Sequence, residues 1–157
     1  MFNIAAILAR TSKGVVGKSN KLPWHLPEEL KLFKKISSDY VNMVMGRKTY
    51  ESLPKLLPNR NHIVLTKDKQ YKAKQSVIIV NSVQSILNNY TRFIVIGGPS
   101  TIATFMPYIE KFYMSELHKE YIGDTYFIDK LFNFEVTSIK EYGDFTHYEL
   151  SRRSNDF

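Results

Sequence analysis

The chain has 157 residues, 43% hydrophobic and 24% charged, which excludes disordered and fibrous classes and allows one domain, residues 1–157, with a sizeable core. It has no cysteine, so disulfides and thiolate catalysis drop out and a reducing compartment is allowed. The formal charge of +7 favours anionic partners, and a small polyanion fits better than nucleic acid. The lysines are scattered, their densest run being Lys67, Lys69, Lys72 and Lys74, with no basic–aromatic interleaving and no recognition helix.

In chain order, Ile4–Ala9 reads as a buried strand that runs into Arg10 and Thr11 without the flank or cleavage site of a signal peptide. Leu22-Pro23-Trp24-His25-Leu26-Pro27 is a loop stiffened by two prolines, the second suited to the first position of a helix over Glu28–Ile36. Strands follow at Val41–Met45, Ile63–Leu65, Val77–Val80 and Phe93–Ile96, alternating with helices at Lys48–Leu53, Val83–Asn89 and Ser100–Met106. This alternation predicts an α/β fold with a mixed, mostly parallel central sheet flanked by about four helices. Phe112–Leu117, Phe134–Ile139 and Phe145–Leu150 predict an antiparallel C-terminal edge hairpin turning at Tyr142-Gly143-Asp144, and Ser151–Phe157 a fraying polar tail. No apolar run approaches the roughly 20 residues that span a bilayer, and a cytoplasmic location is expected.

Four places carry chemistry. Glu29, Leu30 and Phe33 share a helical face, where a carboxylate among apolar groups can hold an amidine-like fork; Glu28 and Glu29 also suit a helix N-terminus for purely electrostatic reasons. Gly46-Arg47-Lys48-Thr49 joins a strand to a helix and suits a phosphate, with capping or packing the alternative role for Thr49. Ile96-Gly97-Gly98-Pro99-Ser100 permits close backbone approach, or simply a tight turn. Arg60 can take a carboxylate in its planar fork or remain a surface arginine. His25, His62, His118 and His147 lack metal-ligand spacing, no metal is expected, and no hydrolase triad order appears.

Taken in order, Ile7-Leu8-Ala9, Gly17, Asn20, Leu22-Pro23-Trp24, Leu26-Pro27-Glu28-Glu29-Leu30 and Met45-Gly46-Arg47-Lys48-Thr49-Tyr50-Glu51-Ser52 resemble the dihydrofolate reductase family, bacterial-type and single-domain. Leu57-Pro58-Asn59-Arg60, Ile96-Gly97-Gly98 and Gly123-Asp124-Thr125 extend the resemblance over nearly the whole chain. It implies reduction of 7,8-dihydrofolate to tetrahydrofolate by hydride transfer from NADPH, with protonation at N5. Glu29 would grip the pterin, Trp24 would hold water and wall off the nicotinamide, and Gly17–Trp24 would form a closing loop. The resemblance points to Ile7, Ala9, Leu30, Phe33, Leu53, Ile96 and Ser115 for substrate, and to Arg60 for its α-carboxylate.

For NADPH the resemblance implicates Ala9, Val16, Gly17, Asn20, Leu22, Gly46, Arg47, Lys48, Thr49, Leu65 and Ile96, and then Gly97, Gly98, Pro99, Ser100, Thr101 and Ile102. Thr66 and Lys67 would read the 2′-phosphate. Dihydrofolate and antifolates are the implied ligands of a monomer. Departures from the family pattern are Pro54, Lys55, Pro99, Ser100, Ile102 and a serine at 115 where threonine is common. Competing readings are the related pyrimidine reductase of riboflavin synthesis, which Trp24 and Glu29 oppose, and a non-catalytic RNA-binding module resting on net charge alone.

Overall fold

The computed structural model describes residues 2–73 and 75–154. Along the chain run β1 (Asn3–Thr11), β2 (Val15–Gly17), α1 (Pro27–Tyr40), β3 (Asn42–Gly46), α2 (Arg47–Ser52), β4 (Asn61–Leu65) and β5 (Ile78–Val80). After these come α3 (Val83–Asn89), β6 (Arg92–Gly97), α4 (Pro99–Phe105), a 3-10 turn (Met106–Tyr108), β7 (Lys111–Leu117), β8 (Thr125–Tyr126), β9 (Phe134–Tyr142) and β10 (Phe145–Arg152). One eight-stranded sheet has the order β5-β4-β3-β6-β1-β7-β10-β9. Its pairs from β5 to β7 are parallel, while β10 is antiparallel to both β7 and β9. The expected mixed sheet with its antiparallel edge hairpin and four helices is the fold.

Side chains alternate across each strand, so a sheet covered on both faces needs apolar residues at every position. Ala5, Ile7, Met43, Met45, Val64 and Ile94 face α1 and α2, packing with Phe33, Tyr40 and Tyr50. Ile4, Ala6, Val44, Ile63, Phe93 and Val95 face the other way, onto Ile86 of α3 and Ile102 and Phe105 of α4. Here the continuous apolar runs of the sequence find their reason.

Boundaries shift where tertiary contacts override local propensity. α1 extends past Ile36 through Ser37, Ser38 and Asp39, weak helix formers, because Ser37 is fully buried and the Tyr40 hydroxyl lies 3.1 Å from that of Tyr113. Val41, expected in a strand, instead ends the helix at φ 66°. The short antiparallel pair β2–β8 has no sequence pattern of its own. Ser151 and Arg152 belong to β10, correcting the expected tail: the Arg152 guanidinium donates to the Ile109 carbonyl (2.8 Å) and to that of Met106. Lys74 and residues 155–157 of that tail lie outside the described residues.

Gly123 lies against β2. A Cβ there would overlap Val15 Cγ1 and sit 2.5 Å from the Gly17 carbonyl oxygen. Gly123→Ala is therefore expected to cost about 1–3 kcal/mol, as overpacking does. Amide exchange should quicken at 15–17 and 125–126, and an unchanged melting temperature would contradict this contact.

Candidate active site

β6 is inserted between β1 and β3, strands that α1 connects, and this reversal opens a crevice at the carboxyl edge of the sheet. Register places Gly46 beside Leu65, Met45 beside Gly97, and Ala9 beside Ser115. Strand ends thus carry Ala9, Gly46, Leu65–Lys67 and Ile96–Gly98 to one edge. α1 enters over them through Pro27, with Leu26 in extended geometry and no side-chain cap.

Glu28 and Glu29 are adjacent, yet only Glu28 is exposed; Glu29 is half-buried. Burial alone pushes the Glu29 carboxyl up to about 7. A carboxylate serving merely the helix dipole would be held low, so desolvation outweighs the dipole here. Trp24 is 6% exposed and packs with Val15, Leu26, Leu117 and Phe145, its ring 5.5 Å from that of Tyr121. Its buried Nε1 meets no hydrogen-bond partner among the described residues.

Ile7, Phe33, Leu53 and Ile96 belong to one apolar cluster under α1 and α2, and Leu30 stands 40% exposed. Arg60 is fixed rather than loose. Its Nε donates to the Pro58 carbonyl (3.1 Å), and its Nη1 to the Lys34 carbonyl (3.0 Å) and Ser37 Oγ (2.7 Å). Nη2 has no hydrogen-bond partner among the described residues. Ser115 is buried, with its Oγ 3.0 Å from His147 Nδ1.

On the other side of the crevice, backbone comes close to side chains. A Cβ on Gly46 would lie 2.7 Å from Thr101 Oγ1, and one on Gly97, at φ 134°, would lie 3.3 Å from Thr49 Oγ1. A cis peptide joins Gly97 to Gly98. Pro99 and Ser100 open α4, and Ile102 is fully buried in the same core cluster as Ile86 and Phe105. Arg47 is partnered, 3.3 Å from Glu51 and 3.7 Å from Asp68, with its guanidinium over the Tyr71 ring. Lys48 and Lys67 are exposed, and Thr66 Oγ1 accepts the Asp68 N–H at 3.2 Å.

The segment from Gly17 to Trp24 starts in β2 and is bonded to Asp124. Val16 and Gly17 are buried in β2, while Asn20, at φ 62°, and Leu22 are exposed. The Ser19 N–H donates to the Asp124 carboxylate (2.9 Å), and the Asp124 N–H to the Gly17 carbonyl (3.0 Å). Backbone donation from Ser19, then the Thr125 hydroxyl, holds the Asp124 carboxyl below its ordinary range. Asp124, Tyr121 and His147 have no assigned role in the sequence reading, because only long-range pairing brings them here. His62 and His147 are buried in strands, and His118 bonds Gly143 and Thr146. A separate groove of about 390 Å³, between α1 and β9–β10, holds none of the expected site residues.

Residues 3–152 match the family model described as dihydrofolate reductase. The chain is 39% identical to a dihydrofolate reductase of Bacillus subtilis strain 168 over 126 residues, 79% of this chain and 74% of that protein. It is 34% identical to one of Staphylococcus aureus over 139 residues, 88% and 86% of the two chains. A solved dihydrofolate reductase from Enterococcus faecalis, complexed with NADP(H) and RAB-propyl, superposes with a TM-score of 0.87 at 32% identity, covering 97% of each chain. With the family matched over nearly its whole length and the crevice built as described, this chain belongs to the dihydrofolate reductase family.

Proposed function

We infer that the protein reduces 7,8-dihydrofolate to 5,6,7,8-tetrahydrofolate with NADPH, and that Glu29 is the acid of the reaction. The observation that carries this reading is a half-buried carboxyl, poised near neutrality, on the turn of α1 that enters the crevice. In its ionised form Glu29 accepts two hydrogen bonds from the pterin's amino group and ring nitrogen. Near pH 7 its protonated form is also populated and favours the proton at N5, which makes the neighbouring carbon more electrophilic. Ile7, Leu30, Phe33, Leu53 and Ile96 hold the ring in apolar surroundings, and Ala9 and Ser115 floor it. Trp24 shields the reacting face from bulk water.

NADPH supplies the hydride. The residues present fit it: Gly46 and Gly97 offer bare backbone where a side chain would overlap Thr101 or press on Thr49, and Gly98 continues that surface. Lys48, Thr66 and Lys67 lie at the ends of β3 and β4, where phosphates of an extended dinucleotide are neutralised. Arg47 joins them by exchanging Glu51 and Asp68, exposed pairs worth little in water. Val16, Gly17, Asn20 and Leu22 close over the cofactor, with Leu65, Ser100 and the first turn of α4 alongside. Arg60 takes the substrate α-carboxylate through Nη2. Antifolates carrying the same amidine fork share the Glu29 site. We read the chain as one domain acting as a cytoplasmic monomer on small molecules, without nucleic acid.

The direct test is loss of NADPH absorbance on adding dihydrofolate to purified protein; absence of turnover with cofactor bound would refute the reading. Glu29→Gln is expected to lower turnover roughly 10²–10⁴-fold. Wild-type turnover should fall as pH rises above about 7, where Glu29 loses its proton, whereas the residual rate of the variant should lack that limb. The folded state raises the Glu29 pKa, so it holds more protons than the unfolded chain between the ordinary carboxyl range and about 7, and stability declines with pH across that window. Glu29→Gln should therefore gain on the order of 2 kcal/mol over wild type at pH 8 and little at pH 4, measured by urea melts. Lys67→Ala should raise the NADPH Kd about tenfold, as for loss of one charge-assisted bond, with the NADH Kd unchanged; equal losses would move the 2′-phosphate elsewhere.

A further inference from the structure

β7 presents Tyr113, Ser115 and Leu117 to the same face, the one that α1 covers. Tyr113 meets Tyr40 at the C-terminal end of α1, while Leu117 packs with Trp24 and Leu26 just ahead of its N-terminus. Ser115 falls between these anchors, under the part of α1 that carries Glu29 and Phe33. Its register neighbours are Ala9 on β1 and His147 on β10. Of the two, only His147 offers a polar side chain, and its Nδ1 lies 3.0 Å from Ser115 Oγ.

A hydroxyl has one proton to give and lone pairs to accept with. If Ser115 donates to His147, only an acceptor faces the crevice; if it accepts from His147, its proton is free to be given there. Burial lowers the His147 pKa more than the Glu149 carboxylate raises it, so the imidazole is neutral and carries a single N–H. The ring is 5% exposed and stacks on Tyr113 at 6.3 Å. Nε2 is sealed from solvent and meets no hydrogen-bond partner among the described residues. A buried N–H without an acceptor is rarer than an idle acceptor, which favours the proton on Nδ1.

We propose that His147 is a positioning residue: it donates Nδ1–H to Ser115 Oγ, turning the Ser115 hydroxyl into a proton donor aimed at the pterin pocket. This rests on the reading of that pocket as the dihydrofolate site. The chemistry it recognises is a hydrogen-bond acceptor on the heterocycle or on the acid that holds it.

Two measurements test it. Long-range ¹H–¹⁵N spectra of the ligand-free, ¹⁵N-labelled protein should show His147 protonated at Nδ1, and a proton on Nε2 overturns the proposal whatever the activity. In the assay, His147→Leu should raise the dihydrofolate KM roughly three- to tenfold, as expected for one neutral hydrogen bond, with the NADPH KM unchanged. Ser115→Ala should do the same, and the double variant should be no worse than Ser115→Ala alone, since both changes remove one shared contact. His147→Asn, whose amide reaches the Nδ1 position, should recover a KM within about twofold of wild type, while His147→Gln, whose amide reaches the Nε2 position, should not. Additive effects, or equal losses in the Asn and Leu variants, would mark His147 as packing only. Absence of dihydrofolate turnover in the wild type would instead remove the reductase reading, leaving the tautomer to be decided by its spectrum.

Discussion

Covering both faces of a parallel sheet is the constraint from which the rest follows. Each parallel connection must cross a face, so β1, β3, β4, β5, β6 and β7 point their carboxyl ends the same way. Inserting β6 between β1 and β3 then splits the ends apart and leaves a crevice at that edge. Gly97 pairs with Met45 in the β3–β6 register, next to Gly46; a Cβ on Gly46 would overlap Thr101, and the φ of 134° at Gly97 strains any other residue. The site is thus a by-product of topology, refined by a few side chains.

Glu29 works against that fold. Its carboxyl sits where solvation is poor, with burial as the sole cause of its displaced titration. The surrounding structure tolerates this because its anchors lie elsewhere: Trp24 packs with Val15, Leu117 and Phe145, and Arg60 is bonded to Lys34 and Ser37 of α1. The Arg60 anchors and the acid thus sit on different turns of the same helix. That separation lets a destabilised acid persist in a rigid frame.

The sheet order's strongest clues, apolar runs long enough to be buried on both faces, were legible residue by residue, and α3 is bounded as its pattern indicates. Glu29 was ambiguous from spacing, since an acid at a helix start has an ordinary electrostatic reason; only its burial, against the exposure of Glu28, separates the two roles. Illegible features share one property: they depend on partners far along the chain. Ser37 looks like a helix breaker until Arg60 is brought to it, and Arg47 looks free until Glu51, Asp68 and Tyr71 gather round.

The anchoring of Arg60 has a geometric meaning. Its Nη1 is fastened to Lys34 and Ser37, five and eight residues along α1 from Glu29. At 1.5 Å per residue those attachment points stand about 7–12 Å from the acid along a single stiff rod. A molecule that engages both ends is gauged against the helix itself. If Glu29 and Arg60 hold the two ends of the substrate, as proposed, its length is measured along α1.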